Sequence, residues 1–352
     1  MGLIIKLLKL RVTKLFFLLL FVVFIGSLFL CRGWYVRQYH KCIGFYYVNK
    51  GDKAYKEKRY QTAVELYKLA LKHYPGHSTA SCNLGNIYVS FENYYEAVNS
   101  YQNALKYNPN FMVCRMDLGI ILAEKMSEYD KAIQEYGKVI KTKPFLINIP
   151  LLYNDKKAAH LNKGYAYYNM GLAYRGKAVY LGEKSTLALK NLKKAKEAYE
   201  HALKYLDNDF DVYYNLALTE HLLGDYKNAG INYCKAINLD PEDFEVHYNF
   251  ALLLNSMKLY KEALGEFEKT TTLINSSTKE DKYRYVYGVM SEIKRRMIYE
   301  GQREYLAERV DLTALPEDDI VYSKGKVILE KQKEFNFHEF LKCPYEKKFE
   351  EM

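Results

Sequence analysis

Apolar residues recur at i, i+3 and i+4 through most of residues 44–277, in paired runs separated by short polar connections. The pairs repeat a common plan. Residues 78–111 carry Leu84-Gly85, Tyr88, Tyr94, Ala97, Tyr101, Ala104 and Pro109, and residues 44–77 carry Gly51, Tyr60, Ala63, Tyr67, Ala70 and Pro75. Residues 112–146 follow with Leu118-Gly119, Tyr129, Ala132, Tyr136 and Pro144, with one extra residue before Tyr129. Residues 210–243 have Leu216-Ala217, Gly224, Tyr226, Ala229, Tyr233, Ala236 and Pro241. Residues 244–277 keep Phe250-Ala251, Tyr260, Ala263 and Phe267 but have Thr270 and Asn275 where alanine and proline stood. Pro75 to Pro109 is 34 residues and Pro109 to Pro144 is 35. Each block therefore predicts two helices. Small residues let their axes approach, aromatic rings fill the space between blocks, and proline stops the second helix because it lacks an N–H. One hairpin cannot bury its apolar face, so the blocks must stack.

This pattern resembles the tetratricopeptide repeat family. The resemblance covers about residues 44–277. It implies an all-α, right-handed superhelical solenoid of about six helix-turn-helix units that binds proteins or peptides and performs no catalysis. The fourth block, 164–209, is longer than the rest. Met170-Gly171 and Tyr174 fit its first helix, and Ala195, Tyr199 and Ala202 its second, with surplus residues between them. Two lengthened helices over 156–181 and 187–206, the second capped by Ser185 or Thr186, account for the surplus. A plain loop insertion is the alternative.

The N-terminus reads as a basic segment, 1–14, followed by an uncharged run from Leu15 to Cys31. A helix of that run spans roughly 26 Å, close to a bilayer core. Trp34 and Tyr35 follow at interfacial depth beside Arg32 and Arg37. The reading is a single-pass transmembrane signal-anchor at 15–31 and a juxtamembrane linker at 32–43. A cleaved signal is disfavoured by Leu28-Phe29-Leu30-Cys31, which lacks small residues, and Leu30 makes a poor lipidation site of Cys31. Lys6, Lys9, Arg11 and Lys14 precede the run, against Arg32, Arg37, Lys41 and Lys50 after it. This balance leans toward a cytoplasmic N-terminus and a repeat domain outside, in a bacterial cell membrane.

Beyond the sixth block, Ser277-x-x-Glu280 reads as a capping box. Tyr283, Val286, Met290, Ile293 and Met297 mark the apolar face of a capping helix region at 278–312. Pro316 to Asp319 reads as a turn, with a short helix near 326–334. The segment 313–352 reads as a weakly ordered tail whose charged end, Lys342 to Met352, is expected to be disordered.

Net charge is +10, but the positive charges past the anchor are dispersed among acids, as on solvated helix faces, so nucleic acid is not expected. The six cysteines form no CxxC. Cys82, Cys114 and Cys234 fall inside predicted helices as small core residues, so no disulfide framework is implied, and this argues mildly against an oxidising compartment. GxGxxG, the phosphate loop, HExxH and GxSxG are all missing. His73 and His77 are split by Pro75-Gly76, which breaks the helix that would align them as metal ligands. The chain reads as a non-enzyme without metal or small-molecule cofactor.

One constellation rises above the scaffold. Two residues before the small residue of each first helix stand Asn49, Asn83, Asn169, Asn215 and Asn249, with Asp117 as the departure in the third block. The resemblance places that position in the concave groove. There asparagine can donate to and accept from the main chain of an extended peptide. Tyr168, Tyr214 and Tyr248 stand beside it. The co-chaperone clamp of the same family uses a cation where Phe45, Thr79 and Val113 stand here, so chaperone C-termini are disfavoured. A packing role for the asparagines stands against the binding one. The function expected is a membrane-anchored scaffold for an unidentified protein or peptide. An assembly subunit of a cell-envelope or secretion complex is the alternative.

Overall fold

The structure, a computed structural model, describes residues 16, 18–27, 32–143, 155–182, 185–275, 285–299 and 342–352. Among them every regular element is a helix. They divide into two compact units, Met1–Ile121 and Leu122–Met352. The first holds α1 (Arg32–Lys56), α2 (Tyr60–His73), α3 (Ser78–Ser90), α4 (Tyr94–Tyr107) and most of α5 (Met112–Glu124). The second holds α6 (Tyr129–Lys141), α7 (Asp155–Tyr180), α8 (Thr186–Ala202), α9 (Phe210–Leu223), α10 (Tyr226–Leu239), α11 (Phe244–Ser256), α12 (Tyr260–Asn275), α13 (Tyr285–Tyr299) and α14 (Glu346–Glu350).

The helices pair as the spacing predicts: α1 with α2, α3 with α4, α7 with α8, α9 with α10 and α11 with α12. The small residues have a specific purpose. A Cβ on Gly85 would lie 2.5 Å from the Tyr101 ring, and one on Gly171 would lie 2.5 Å from the Tyr199 ring. Each glycine is the seat of the tyrosine on the partner helix. The seated rings Tyr67, Tyr101 and Tyr199 are all buried, as is Tyr233 of block five, where Ala217 stands in place of glycine. The hairpin turns share a device the spacing does not reveal. Lys58, Glu92, Ser127, Gly224 and Lys258 hold the same place between the paired helices, and all have φ between 54° and 79°. The fifth block fills this left-handed position with glycine, the residue that suits it, and the turn of the fourth block has Gly182 at φ 82°. The lengthened fourth block is two helices rather than a loop, and the Ser185 side chain caps α8 by accepting from Ala188 N at 3.0 Å.

The ends differ from expectation. Residues 32–43 are not a linker, because α1 runs unbroken from Arg32 into the first repeat. Of the expected anchor, Leu18–Ser27 is helical, and its apolar side chains are exposed. No single helix among the described residues is long and apolar enough to cross a membrane. Leu18–Ser27 and α1 pass that test only as a pair bent by 60°. The capping helix is present as α13, which buries Val286, Ile293 and Met297. The expected box at Ser277, the turn at Pro316 and the helix near 326–334 lie outside the described residues.

The cysteine reading is corrected outright. Cys82 is bonded to Cys114, and Cys234 to Cys343, with Cα separations of 5.8 and 5.1 Å that suit a disulfide. Helical placement hid this, because stacking brings together Cys82 and Cys114, 32 apart, and tail docking brings Cys343 to Cys234, 109 apart. The end of the tail is also corrected. Residues 342–352 dock on the last two repeats, with Phe349 fully buried in the same core as Tyr233 and Phe250. Its many charges concealed three apolar anchors, Cys343, Tyr345 and Phe349.

Candidate functional site

The asparagines and tyrosines form rungs between successive first helices of the second unit. Asn215 on α9 donates to the Tyr168 hydroxyl on α7 at 3.2 Å, and Asn249 on α11 donates to the Tyr214 hydroxyl on α9 at 2.8 Å. Each asparagine also donates back to the carbonyl four residues earlier, Asp211 and Glu245, at 2.8 and 2.9 Å. Both amide hydrogens are thereby used. The rung ends at the cap, where Tyr248 meets Tyr285 edge-on at 5.5 Å.

These contacts separate the asparagines by role. Asn215 is 6% exposed, and its oxygen accepts from Arg175 at 2.7 Å, so it is committed to packing. For Asn215 the packing role set against the binding one is therefore filled. Asn249 keeps its oxygen open, and Asn169 makes no hydrogen bond among the described residues. In the first unit Asn83 donates to Asp52 at 3.2 Å and to Tyr67 at 3.4 Å, while Asn49 is exposed. Burial holds the Tyr168 hydroxyl up to about 12, with Asp211 adding and Arg175 opposing, and it also raises Tyr214. Both phenols stay protonated near neutrality. Each accepts from asparagine and still has a hydrogen to offer outward.

Spacing alone did not point to Arg175, because the shared pattern assigns no residue type to the place after Tyr174. It lies amid the tyrosines, opposing the rise of Tyr168, Tyr199 and Tyr214. It also lines an open pocket of about 470 Å³ with Tyr129, Leu172, Gly176, Val179 and Tyr180. Gly176 makes room for the Tyr129 ring, which a Cβ would approach to 2.8 Å. The cationic centre and its aromatic rim suit a peptide segment bearing a carboxylate or carbonyl. Among the described residues no group of three or more His, Cys, Asp or Glu could hold a metal ion.

Asp117, the odd member of the ladder, is held at about 6 by burial. The folded state thus favours its neutral form, and the penalty on the charged form is fully present above pH 6. Wild type should recover this component as pH falls from 7 through 6 toward the ordinary carboxylate range, with no further gain below it. Asp117→Asn should be more stable than wild type by about 1–3 kcal/mol at pH 7, and the gap should narrow by pH 5. Urea midpoints of both proteins at the two pH values check this, and a constant gap would refute it.

Residues 78–111 and 210–243 match the tetratricopeptide repeat family. These two blocks are tetratricopeptide repeats. The two matched blocks, α3–α4 and α9–α10, are among those with nearly unbroken spacing. No curated protein matches the chain. Among solved structures it is similar to PilF of Pseudomonas aeruginosa, with 16% identity, 70% of this chain and 98% of that one covered, and a TM-score of 0.49. It is similar to PilW, described as a widely conserved type IV pilus biogenesis factor, with 16% identity, coverage of 68% and 97%, and a TM-score of 0.48. It is also similar to YrrB, described as a tetratricopeptide repeat protein with an unusual peptide-binding site, with 15% identity, coverage of 61% and 96%, and a TM-score of 0.44.

Proposed function

We propose that this chain is a tetratricopeptide scaffold that holds a protein or peptide segment against the first helices of its second unit. The carrying observation is the Asn–Tyr rung system beside Arg175. It presents phenolic hydrogens, the open oxygen of Asn249 and the uncommitted Asn169 along one series of helices. Tyr248 adds ring surface at the far end. Asn49 and Asn83 are the corresponding candidates in the first unit. The exposed apolar segment Leu18–Ser27 supports membrane attachment, with Trp34, Tyr35 and the basic residues of α1 at the lipid interface. Retention in the membrane pellet through a carbonate wash tests that part. The two disulfides support placement of the repeats in an oxidising compartment outside the cytoplasm.

The test is capture from detergent-solubilised membranes, followed by titration of the partner. The double variant Asn169→Ala, Asn249→Ala should keep its melting curve and bind about five- to a hundredfold more weakly, since each lost net hydrogen bond is worth about 0.5–1.5 kcal/mol. Tyr248→Ala should weaken binding further. Unchanged affinity in folded variants would move the interaction off this face and favour the assembly-subunit reading. Asn215→Ala is unsuitable for this purpose, because it strands the partners Arg175 and Tyr168.

A further inference from the structure

We infer that the furrow between α10 and α12 is a second peptide site, distinct from the rungs on the first helices. Its resident ligand is the chain's own C-terminus, residues 342–352, held reversibly through the Cys234–Cys343 bond.

The furrow has a purpose-made notch. In other blocks a side chain follows the inward alanine of the second helix: Val64, Val98, Ile133 and Leu264, with Lys196 in the fourth block. Block five has Gly230 instead. A Cβ there would come within 2.3 Å of the Phe349 ring, and its three nearest atoms would all belong to that ring. The missing side chain therefore makes room for the Phe349 ring. Phe349 fills the notch completely, 5.9 Å from the Phe250 ring, with Tyr345 6.0 Å from the same ring.

The polar contacts are those of a peptide groove. Three side chains of the array take hold of the tail's main chain. Asn238 accepts from Cys343 N at 3.3 Å, Lys269 donates to Lys342 O at 3.3 Å, and Lys227 donates to Glu350 O at 3.2 Å. One charge pair, Lys348 with Glu262 at 2.7 Å, adds side-chain selectivity. Main-chain grip, one aromatic anchor in a pocket and one ion pair define a ligand of the form Tyr-x-x-Lys-Phe.

The cross-link makes occupancy switchable. Cys234 is fully buried and Cys343 partly exposed, so an external dithiol attacks the Cys343 sulfur. The Cys234–Cys343 bond breaks as a mixed disulfide forms on Cys343. The second thiol of the reagent then displaces Cys343 and closes the reagent's own disulfide. Two electrons pass to the protein, and the dithiol's two protons end on Cys234 and Cys343. The released tail is then held only by its non-covalent contacts and can exchange with a similar segment from another chain.

The experiment uses the full chain with Cys343→Ser and Phe349→Ala, which empties the furrow. The probe is a fluorescent peptide of residues 342–352 with Cys343→Ser. The variant should bind this peptide. Binding should fall at least tenfold when the peptide carries Phe349→Ala, or when the protein also carries Gly230→Val, the residue other blocks use there. Oxidised wild type should bind at least tenfold more weakly than the emptied variant. Equal binding by oxidised wild type and emptied variant, or no binding by the latter, would overturn the proposal. So would loss of the emptied variant's helical melting transition, because the tail would then be a structural part of the fold.

Discussion

Glu266→Ala should destabilise the second unit by roughly 3–5 kcal/mol, among the largest losses any single charged residue here can produce. Glu266 is fully buried. One oxygen lies 2.6 Å from His247 Nδ1, and the other accepts from Lys269 at 2.8 Å. His247 Nε2 lies 3.0 Å from the Pro241 carbonyl, so the imidazole on α11 links the turn after α10 to α12 through an oxygen at each nitrogen. Removing the carboxylate leaves an ammonium and an imidazole buried without their shared acceptor. The same lysine reaches the tail at Lys342 O, so docking of residues 342–352 should loosen as well. Glu200→Ala, on the exposed face of α8, should stay within about 0.5 kcal/mol. Urea denaturation followed by circular dichroism reads both, and a wild-type midpoint for Glu266→Ala would show that the network contributes nothing.

Tyr233→Ala should lose about 3–5 kcal/mol, whereas Tyr233→Phe should match or exceed wild type. The ring is fully buried between blocks five and six, 5.7 Å from Phe250 and 6.4 Å from Tyr214. Its hydroxyl has no hydrogen-bond partner among the described residues, and burial raises it well above the ordinary tyrosine range. The packing belongs to the ring and the desolvation penalty to the oxygen. Leaving a buried hydroxyl unpaired costs on the order of 1–3 kcal/mol, which phenylalanine avoids. Thermal melts of the three proteins decide the matter. A Phe variant as unstable as the Ala variant would mean that the hydroxyl has a partner after all.

The fold was legible because its signals are local. Alanine and an aromatic ring at fixed offsets, and proline after the second helix of four blocks, follow from helix geometry within one block. Interactions between blocks were not legible. Asn215 looked like a groove residue because its offset matched Asn249, yet Arg175, from the lengthened helix, takes its oxygen. Cys82 and Cys114 looked like core residues because each sits inside a helix. Only the stacking of α3 and α5 places them together. Gly230 broke the rule of a side chain after the inward alanine, and that was a readable sign of the notch. Glu92 and Lys258 gave no such sign, because neither residue type announces a left-handed turn.

The Cys234–Cys343 bond also bears on how the molecule would respond to being pulled. Repeat arrays unravel from their ends, block by block. Here the terminal end is tied back, and the chain between the two sulfurs forms a closed covalent loop spanning 109 positions. At about 3.3–3.6 Å per extended residue, roughly 370 Å of contour is withheld from any tension applied at the C-terminus. Load entering at Met352 would bypass α11, α12 and α13 and pass directly into α10. Oxidised, the chain would act as a short tether whose length is set by a covalent bond; reduced, the same chain could pay out the whole of its last repeats.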